Sequence, residues 1–196
     1  MSRNKQGGEV RITGGRFRGR KIATPGEGTH PMGERERIAL FNMIQDRIPG
    51  NCVLDLFCGG GTLGIEAISR GARFAMLLDS SPKAVATAND NLKELGIYRM
   101  DGLFNFDPSV GGTGSAMEAN VPIMARTATD RYGIVIADPP YDRYTEKMVK
   151  HIPRLVLEGG ILVLSHPGEA PVLEDVRLLK SRKYAGATIS IYIKDI

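Results

Sequence analysis

The chain has 196 residues, 42% of them hydrophobic and 24% charged, with a net charge of +4. That is the length of one domain with a short extension and the composition of an ordinary buried core. The two cysteines have neither metal-site nor disulfide spacing, no apolar run approaches the roughly 18 to 20 residues that span a bilayer, and the polar start Met1-Ser2-Arg3-Asn4-Lys5-Gln6 carries no secretory stretch. A disulfide scaffold, a membrane protein and a secreted protein are set aside. A reduced, cytoplasmic protein without a metal is expected.

The charge is unevenly placed. Seven basic residues lie between Arg3 and Lys21 against the single acid Glu9, a local +6 that exceeds the surplus of the whole chain. A basic arm on a near-neutral body points to a polyanionic partner, nucleic acid first, or equally to a solvated tail. The expected division is an arm over 1–30 and a main domain over 31–196.

In chain order, Glu9-Val10-Arg11-Ile12-Thr13 alternates like a strand and Gly14-Gly15 ends it. The basic turn through Arg16, Arg18, Arg20 and Lys21 then predicts a small hairpin over 10–23. Phe17 within it either stacks on a base or plugs the hairpin onto the body. Residues 34–46 carry Ile38, Phe41 and Ile44, with Ile48 beyond, at helical spacing. Arg35 and Arg37 stand near the start of that helix, where the dipole disfavours cations, so they either face phosphate or pair with Glu34 and Glu36.

Val53 to Phe57 is the first central strand; a glycine loop follows, then a helix from Thr62 to Arg70. Phe74 to Leu78 is the second strand and ends on Asp79. Ser81 with Pro82 opens a helix that shows Val85, Ala88, Leu92 and Leu95 on one face. Such β-α-β-α alternation is the doubly wound pattern. Within 97–130, Gly111-Gly112-Thr113-Gly114-Ser115 reads as a linker with a weak helix after it. Ile134 to Ala137 is a third strand, 144–156 a helix interrupted at Pro153, and Ile161 to Ser165 a fourth strand. Alternating Ile189, Ile191 and Ile193 predict an antiparallel strand closing the sheet.

Two stretches carry chemistry. Asp55-Leu56-Phe57-Cys58-Gly59-Gly60-Gly61-Thr62-Leu63-Gly64 has glycines that let backbone approach a ligand and turn into a helix. By itself the spacing is a weak signal. An acid at the strand end, Asp55, would repel a pyrophosphate but suits a positive amino group, and Asp79 about 20 residues on suits a ribose. A phosphate-free cofactor with those parts is S-adenosylmethionine, held by Asp55, Phe57, Gly59, Gly61, Gly64 and Asp79; a purely structural glycine turn is the plainer alternative. The second stretch is Asp138-Pro139-Pro140-Tyr141, at the end of Ile134-Val135-Ile136-Ala137. Acceptors on the hydrogens of an exocyclic amine favour a pyramidal nitrogen, and paired prolines hold the Pro139 carbonyl rigidly. Tyr141 offers a stacking face for an extruded base.

With these motifs the chain resembles the RsmD-type bacterial 16S ribosomal RNA guanine-N2 methyltransferases along nearly its whole length. The residues that carry the resemblance are Val10 to Lys21; Pro31, Arg35, Arg37 and Leu40-Phe41-Asn42; Asp55 to Ala67; and Asp138 to Tyr141. The resemblance implies a Rossmann-like class I methyltransferase fold, a mostly parallel seven-stranded sheet with an antiparallel C-terminal strand and a basic N-terminal hairpin. It implies S-adenosylmethionine as cofactor, with an acid bordering the adenine at Asp101 or Asp107. The substrate it implies is a guanine in 16S rRNA, free or in the small subunit, acted on by a monomer. Asp138, Pro139, Pro140 and Tyr141 are then catalytic, and Arg11, Arg16, Arg18, Arg20, Lys21, Arg35 and Arg37 hold RNA phosphates. The chain reads His30-Pro31-Met32-Gly33-Glu34-Arg35 where the family has Arg-Pro-Thr-x-Asp-Arg, and Ile38 replaces an acid. Two rivals remain: methylation of an adenine N6, which the same proline motif serves, and a non-catalytic RNA-binding assembly protein.

Overall fold

The computed structural model describes residues 7–26, 32–99, 111–184 and 186–196. Apart from Asp55, the runs Val53–Leu56 and Ile134–Ala137 are apolar without alternation, as strands covered on both faces require. They form β3 (Cys52–Leu56) and β6 (Tyr132–Ala137), paired in parallel near the centre of a sheet completed by β4 (Phe74–Asp79), β5 (Thr113–Glu118), β7 (Val156–His166), β8 (Arg177–Lys183) and β9 (Thr188–Ile193). The order is β5-β4-β3-β6-β7-β9-β8, with β9 antiparallel to both of its neighbours. The chain therefore builds outward from β3 in one direction and then, from β6, in the other. The carboxyl ends of β3 and β6 flank the switch point, where open α/β sheets bind ligands.

One face of the sheet is covered by α1 (Glu34–Ile44), α2 (Thr62–Ser69), α3 (Pro82–Glu94) and a hairpin of β1 (Glu9–Arg11) and β2 (Lys21–Ala23). The other carries α4 (Val121–Thr127), the single turn α5 (Glu146–Val149) and a 3-10 turn over Ile152–Leu155. Ser81 caps α3 by accepting from the Ala84 N–H, with Pro82 in the first turn, as its sequence requires. No helix among the described residues is long and apolar enough to cross a membrane. The proposed boundary at 30/31 lies outside the described residues.

Several expectations are corrected. The glycine-rich 111–115 stretch is not a linker but opens β5, whose Thr113, Gly114, Ser115 and Ala116 are buried. Small residues are needed there because a Cβ on Gly114 would come within 2.7 Å of the Ala75 carbonyl and 3.0 Å of Ile68. The helix expected over 144–156 is one turn, a 3-10 turn and then already strand, since Pro153 interrupts it and Val156 begins β7. The antiparallel strand is β9 as expected, but it is interior: β8, exposed along its whole length, is the sheet edge. In α1 the buried stripe is Arg37, Leu40, Phe41 and Ile44, while Ile38 is exposed.

Candidate active site

The glycine loop leaves β3 through Phe57, which adopts the left-handed conformation at φ 62°. For a residue with a Cβ this costs about 1 kcal/mol, and such strain gathers where a loop must hold one shape. Gly61, at φ 82°, then caps α2, whose first turn begins at Thr62. Gly64 is demanded by space: a Cβ would fall 2.2 Å from Leu77 Cδ2. The cleared space lets the Gly64 N–H donate to Asp55 Oδ2 at 2.8 Å.

Asp55 is 1% exposed, and its Oδ1 has no hydrogen-bond partner. Burial, with Asp138 and Asp79 close enough to add repulsion, pushes its carboxyl up to about 8 despite the Gly64 bond. Asp79, at the end of β4, accepts from Gly59 N on Oδ2 and from Ser81 N on Oδ1, both at 2.9 Å. It organises the loop and the start of α3 while each oxygen keeps a second lone pair.

Asn91 stands in no motif of the sequence, yet it ties three parts together. Its amide donates to the Gly60 carbonyl at 2.8 Å and the Ala23 carbonyl at 2.9 Å, and its Oδ1 accepts from Ala23 N. Through it α3 clamps the hairpin strand β2 onto the glycine loop. Its signal was position: in α3 it falls on the buried stripe with Ala84, Ala88 and Leu92, where a polar side chain requires partners.

At the end of β6, Asp138 is half-buried, Pro139 is buried, and Pro140 leads into a 3-10 turn over Tyr141–Arg143. Burial pushes the Asp138 carboxyl up to about 6, and a hydrogen bond from Ser165 holds it back. The Tyr141 hydroxyl is hydrogen-bonded to the same Ser165 hydroxyl, and burial pushes its phenol up to about 12. The Tyr141 ring stays 39% exposed, open to a planar partner. Ser165 was also missed; its signal was a hydroxyl at the carboxyl end of an otherwise apolar strand.

The hairpin docks through a buried polar network. Glu66, fully buried on α2, accepts from Thr13 N at 2.9 Å, Thr13 Oγ1 at 2.6 Å and Arg70 Nε at 2.9 Å. Arg37 completes it, donating to the carbonyls of Met32 and Arg11 at 3.0 and 2.7 Å, with Nε 3.7 Å from Glu66. Arg37 is 1% exposed, so its expected contact with RNA phosphate is corrected: the buried stripe of α1 turns it into the core against Glu66. Arg11, Arg16, Arg18, Arg20, Lys21 and Arg35 are exposed. Of these, Arg16 donates to the Gly112 carbonyl and Lys21 pairs with Glu9 at 3.0 Å. Phe17 packs against the core with Arg16 over its ring, which favours the plug over the stack. Asp101 and Asp107 lie outside the described residues, as do Pro31 and His30.

The chain is similar to known proteins. The family model described as conserved hypothetical protein 95 matches residues 10–193. A candidate rRNA methyltransferase of Bacillus subtilis, YlbH, is 30% identical over 192 residues, covering 94% of this chain and 99% of its own. Ribosomal RNA small subunit methyltransferase D of Escherichia coli is 31% identical over 137 residues, 69% of this chain and 62% of its own. Among solved structures, a candidate methyltransferase of Escherichia coli, yhhF, superposes with a TM-score of 0.80 at 25% identity over 96% of this chain and 99% of its own. The chain belongs to the conserved hypothetical protein 95 family, that of the RsmD-type ribosomal RNA methyltransferases.

Proposed function

We propose that this chain methylates the exocyclic N2 of a guanine in 16S ribosomal RNA, with S-adenosylmethionine as methyl donor. The observation that carries the reading is the convergence of Asp55, Asp79 and Asp138 at the switch point, where no cationic side chain among the described residues pairs with any of them. Such a group of acids has no positive partner of its own, and Asp55 keeps its proton near neutral pH until a cation without phosphate enters. When bound, S-adenosylmethionine supplies a methyl group activated on a positive sulfur.

The residues present fit that cofactor. The orphaned Asp55 Oδ1 is placed for its amino group, the remaining lone pairs of Asp79 for the ribose hydroxyls, and the strained Phe57 with Gly59, Gly61 and Gly64 for close backbone contact. Asp101 is proposed to border the adenine. Asp138 and the Pro139 carbonyl accept the amine hydrogens, which orients the nitrogen lone pair and stabilises the positive charge that develops on it. Tyr141 stacks on the base. Arg18, Arg20 and Arg35, which have no partner among the described residues, hold phosphates together with Arg11, Arg16 and Lys21. Phosphate contacts position the RNA and leave the choice of base to the pocket.

Incubating the protein and labelled cofactor with small subunits, free rRNA and DNA, then digesting to nucleosides, tests the reading. N2-methylguanosine from ribosomal RNA is the expected product. N6-methyladenosine transfers the assignment to the adenine rival, and absence of cofactor binding by calorimetry, with or without RNA, leaves only an assembly protein.

A further inference from the structure

The exposed edge of the sheet carries charge that neither the fold nor the hairpin uses. Strand β8 reads Arg177-Leu178-Leu179-Lys180-Ser181-Arg182-Lys183, every residue of it exposed, and no acid occurs between Arg177 and Lys194. Arg177 is committed to Asp195 at 3.0 Å. Lys180 and Arg182 make no hydrogen bond or ion pair among the described residues.

Register places these two side chains. Arg182 is opposite Ile189 of β9, and Ile189 is opposite Ser165 of β7, so Arg182, Ile189 and Ser165 form one row across three strands. Directly opposed residues share a face. Ile189 and Ile191, the latter opposite Lys180, belong to the core cluster that also takes in α1 and the hairpin residues Ile12 and Ile22. Arg182 and Lys180 therefore project on the hairpin's side of the sheet. Two strand spacings, about 10 Å, separate Arg182 from Ser165, which holds Tyr141 and Asp138. The β8 cations thus lie beside the Asp138 clamp, at the carboxyl end of β7, whereas the hairpin turn with Arg16 lies at the amino ends of the strands, against Gly112 and Ser69.

We propose that Lys180 and Arg182 form a second phosphate-binding site, separate from the hairpin, which holds the RNA backbone beside the clamp. The inference rests on the reading of the substrate as ribosomal RNA. A base delivered to Asp138 must have its strand held close to the clamp, and an arm whose turn lies at the other end of the strands would leave that strand free to swing.

The test is filter binding of the full chain to small-subunit rRNA from about 50 to 200 mM salt, comparing the native protein with Lys180→Ala/Arg182→Ala, Lys180→Arg/Arg182→Lys and Arg18→Ala/Arg20→Ala. Every phosphate that a variant no longer neutralises lowers the slope of log affinity against log salt by roughly 0.7 to 0.9, so the alanine pair is expected to lower it by about 1.5 and to weaken binding. The charge-keeping pair retains the native slope. Binding of S-adenosylmethionine and the melting temperature stay unchanged, because both side chains are exposed. An unchanged slope and affinity in the alanine pair overturns the site, and so does self-association with unchanged RNA affinity, since the cations would then only guard a free edge. If the hairpin pair loses RNA binding while the β8 pair keeps it, the RNA reading stands and this site falls. If native protein binds no ribosomal RNA, both fall.

Discussion

The Tyr141 hydroxyl and the Ser165 hydroxyl are hydrogen-bonded to each other, and Ser165 also bonds the Asp138 carboxylate. An ionised carboxylate only accepts, so Ser165 donates to Asp138 and its lone pairs are left for the Tyr141 O–H. One serine thus ties the Tyr141 ring to the Asp138 carboxylate.

Replacing Ser165 with alanine removes the bond that holds Asp138 down, so its carboxyl rises above about 6. Activity requires the ionised form, and the acid limb of the pH profile moves to higher pH. A hydrogen bond to a charged group contributes about 1.5 to 3 kcal/mol, so the expected move is at least about one pH unit, with kcat/KM lower by about fivefold or more at pH 6. Methyl incorporation measured from pH 5 to 9 reads it, and a profile that drops evenly without moving would contradict the bond.

With Asp55 as the proposed partner of the cofactor's amino group, cofactor binding is expected to depend on pH. Burial chiefly, then the nearby acids, raise it to about 8 in the free protein, so below that pH it carries a proton that a cationic ligand must expel. Affinity for S-adenosylmethionine is expected to rise with pH, by up to about tenfold per unit, and to level off above pH 8. The free protein shows the opposite trend: an acid raised in the fold binds more protons folded than unfolded, so stability falls as pH climbs from about 4 to 8. Asp55→Asn abolishes the affinity slope and the stability slope between about pH 6 and 8, while Asp138 still lowers stability between about pH 4 and 6. Calorimetry at pH 7 in buffers of different ionisation enthalpy reports proton release; none would mean that Asp55 does not meet the cation.

The sequence shows most clearly what depends on local pattern. Val53–Leu56 and Ile134–Ala137 announce buried strands, and Ser81-Pro82 announces a helix start. The clamp and the glycine loop were legible because their chemistry is carried by adjacent residues. Features set by packing across the chain were not. The 111–115 stretch looks like a linker because β5, which it opens, lies against α3 and α2 too closely for large side chains. Arg37 looks like a phosphate ligand because its counter-ion, Glu66, is 29 residues away on another helix. β8 was missed because an edge strand with no buried face has no alternation for the eye to find.

Asn91→Ala is expected to loosen the hairpin and the cofactor loop together. The buried Gly60 carbonyl would lose its partner, and so would both backbone groups of Ala23, which is exposed. At about 1 to 3 kcal/mol for an unsatisfied buried group, the Gly60 carbonyl sets the loss, since water can reach Ala23. Thermal unfolding should show a clearly lower midpoint. The midpoint shift on adding S-adenosylmethionine should also shrink, because Gly60 is in the loop. A variant that is destabilised but keeps the full shift would separate the hairpin anchor from the cofactor site.

Arg37 and the hairpin arginines should fail in opposite ways. Arg37→Met leaves Glu66 buried with one cation fewer and frees the Met32 and Arg11 carbonyls, a loss of roughly 3 to 5 kcal/mol for one broken partner of a buried pair. Its expected signature is a large drop in the urea midpoint, with an unchanged salt slope for RNA binding in whatever protein remains folded. Arg18→Ala/Arg20→Ala touches only exposed side chains, so its urea midpoint should match that of the native chain while RNA affinity falls. Its salt slope should fall too, by roughly 0.7 to 0.9 for each phosphate left without its arginine. Were Arg37→Met to lower the slope at full stability, its guanidinium would have to leave the core to meet RNA, and the Glu66 network would not be the fixed anchor of the hairpin.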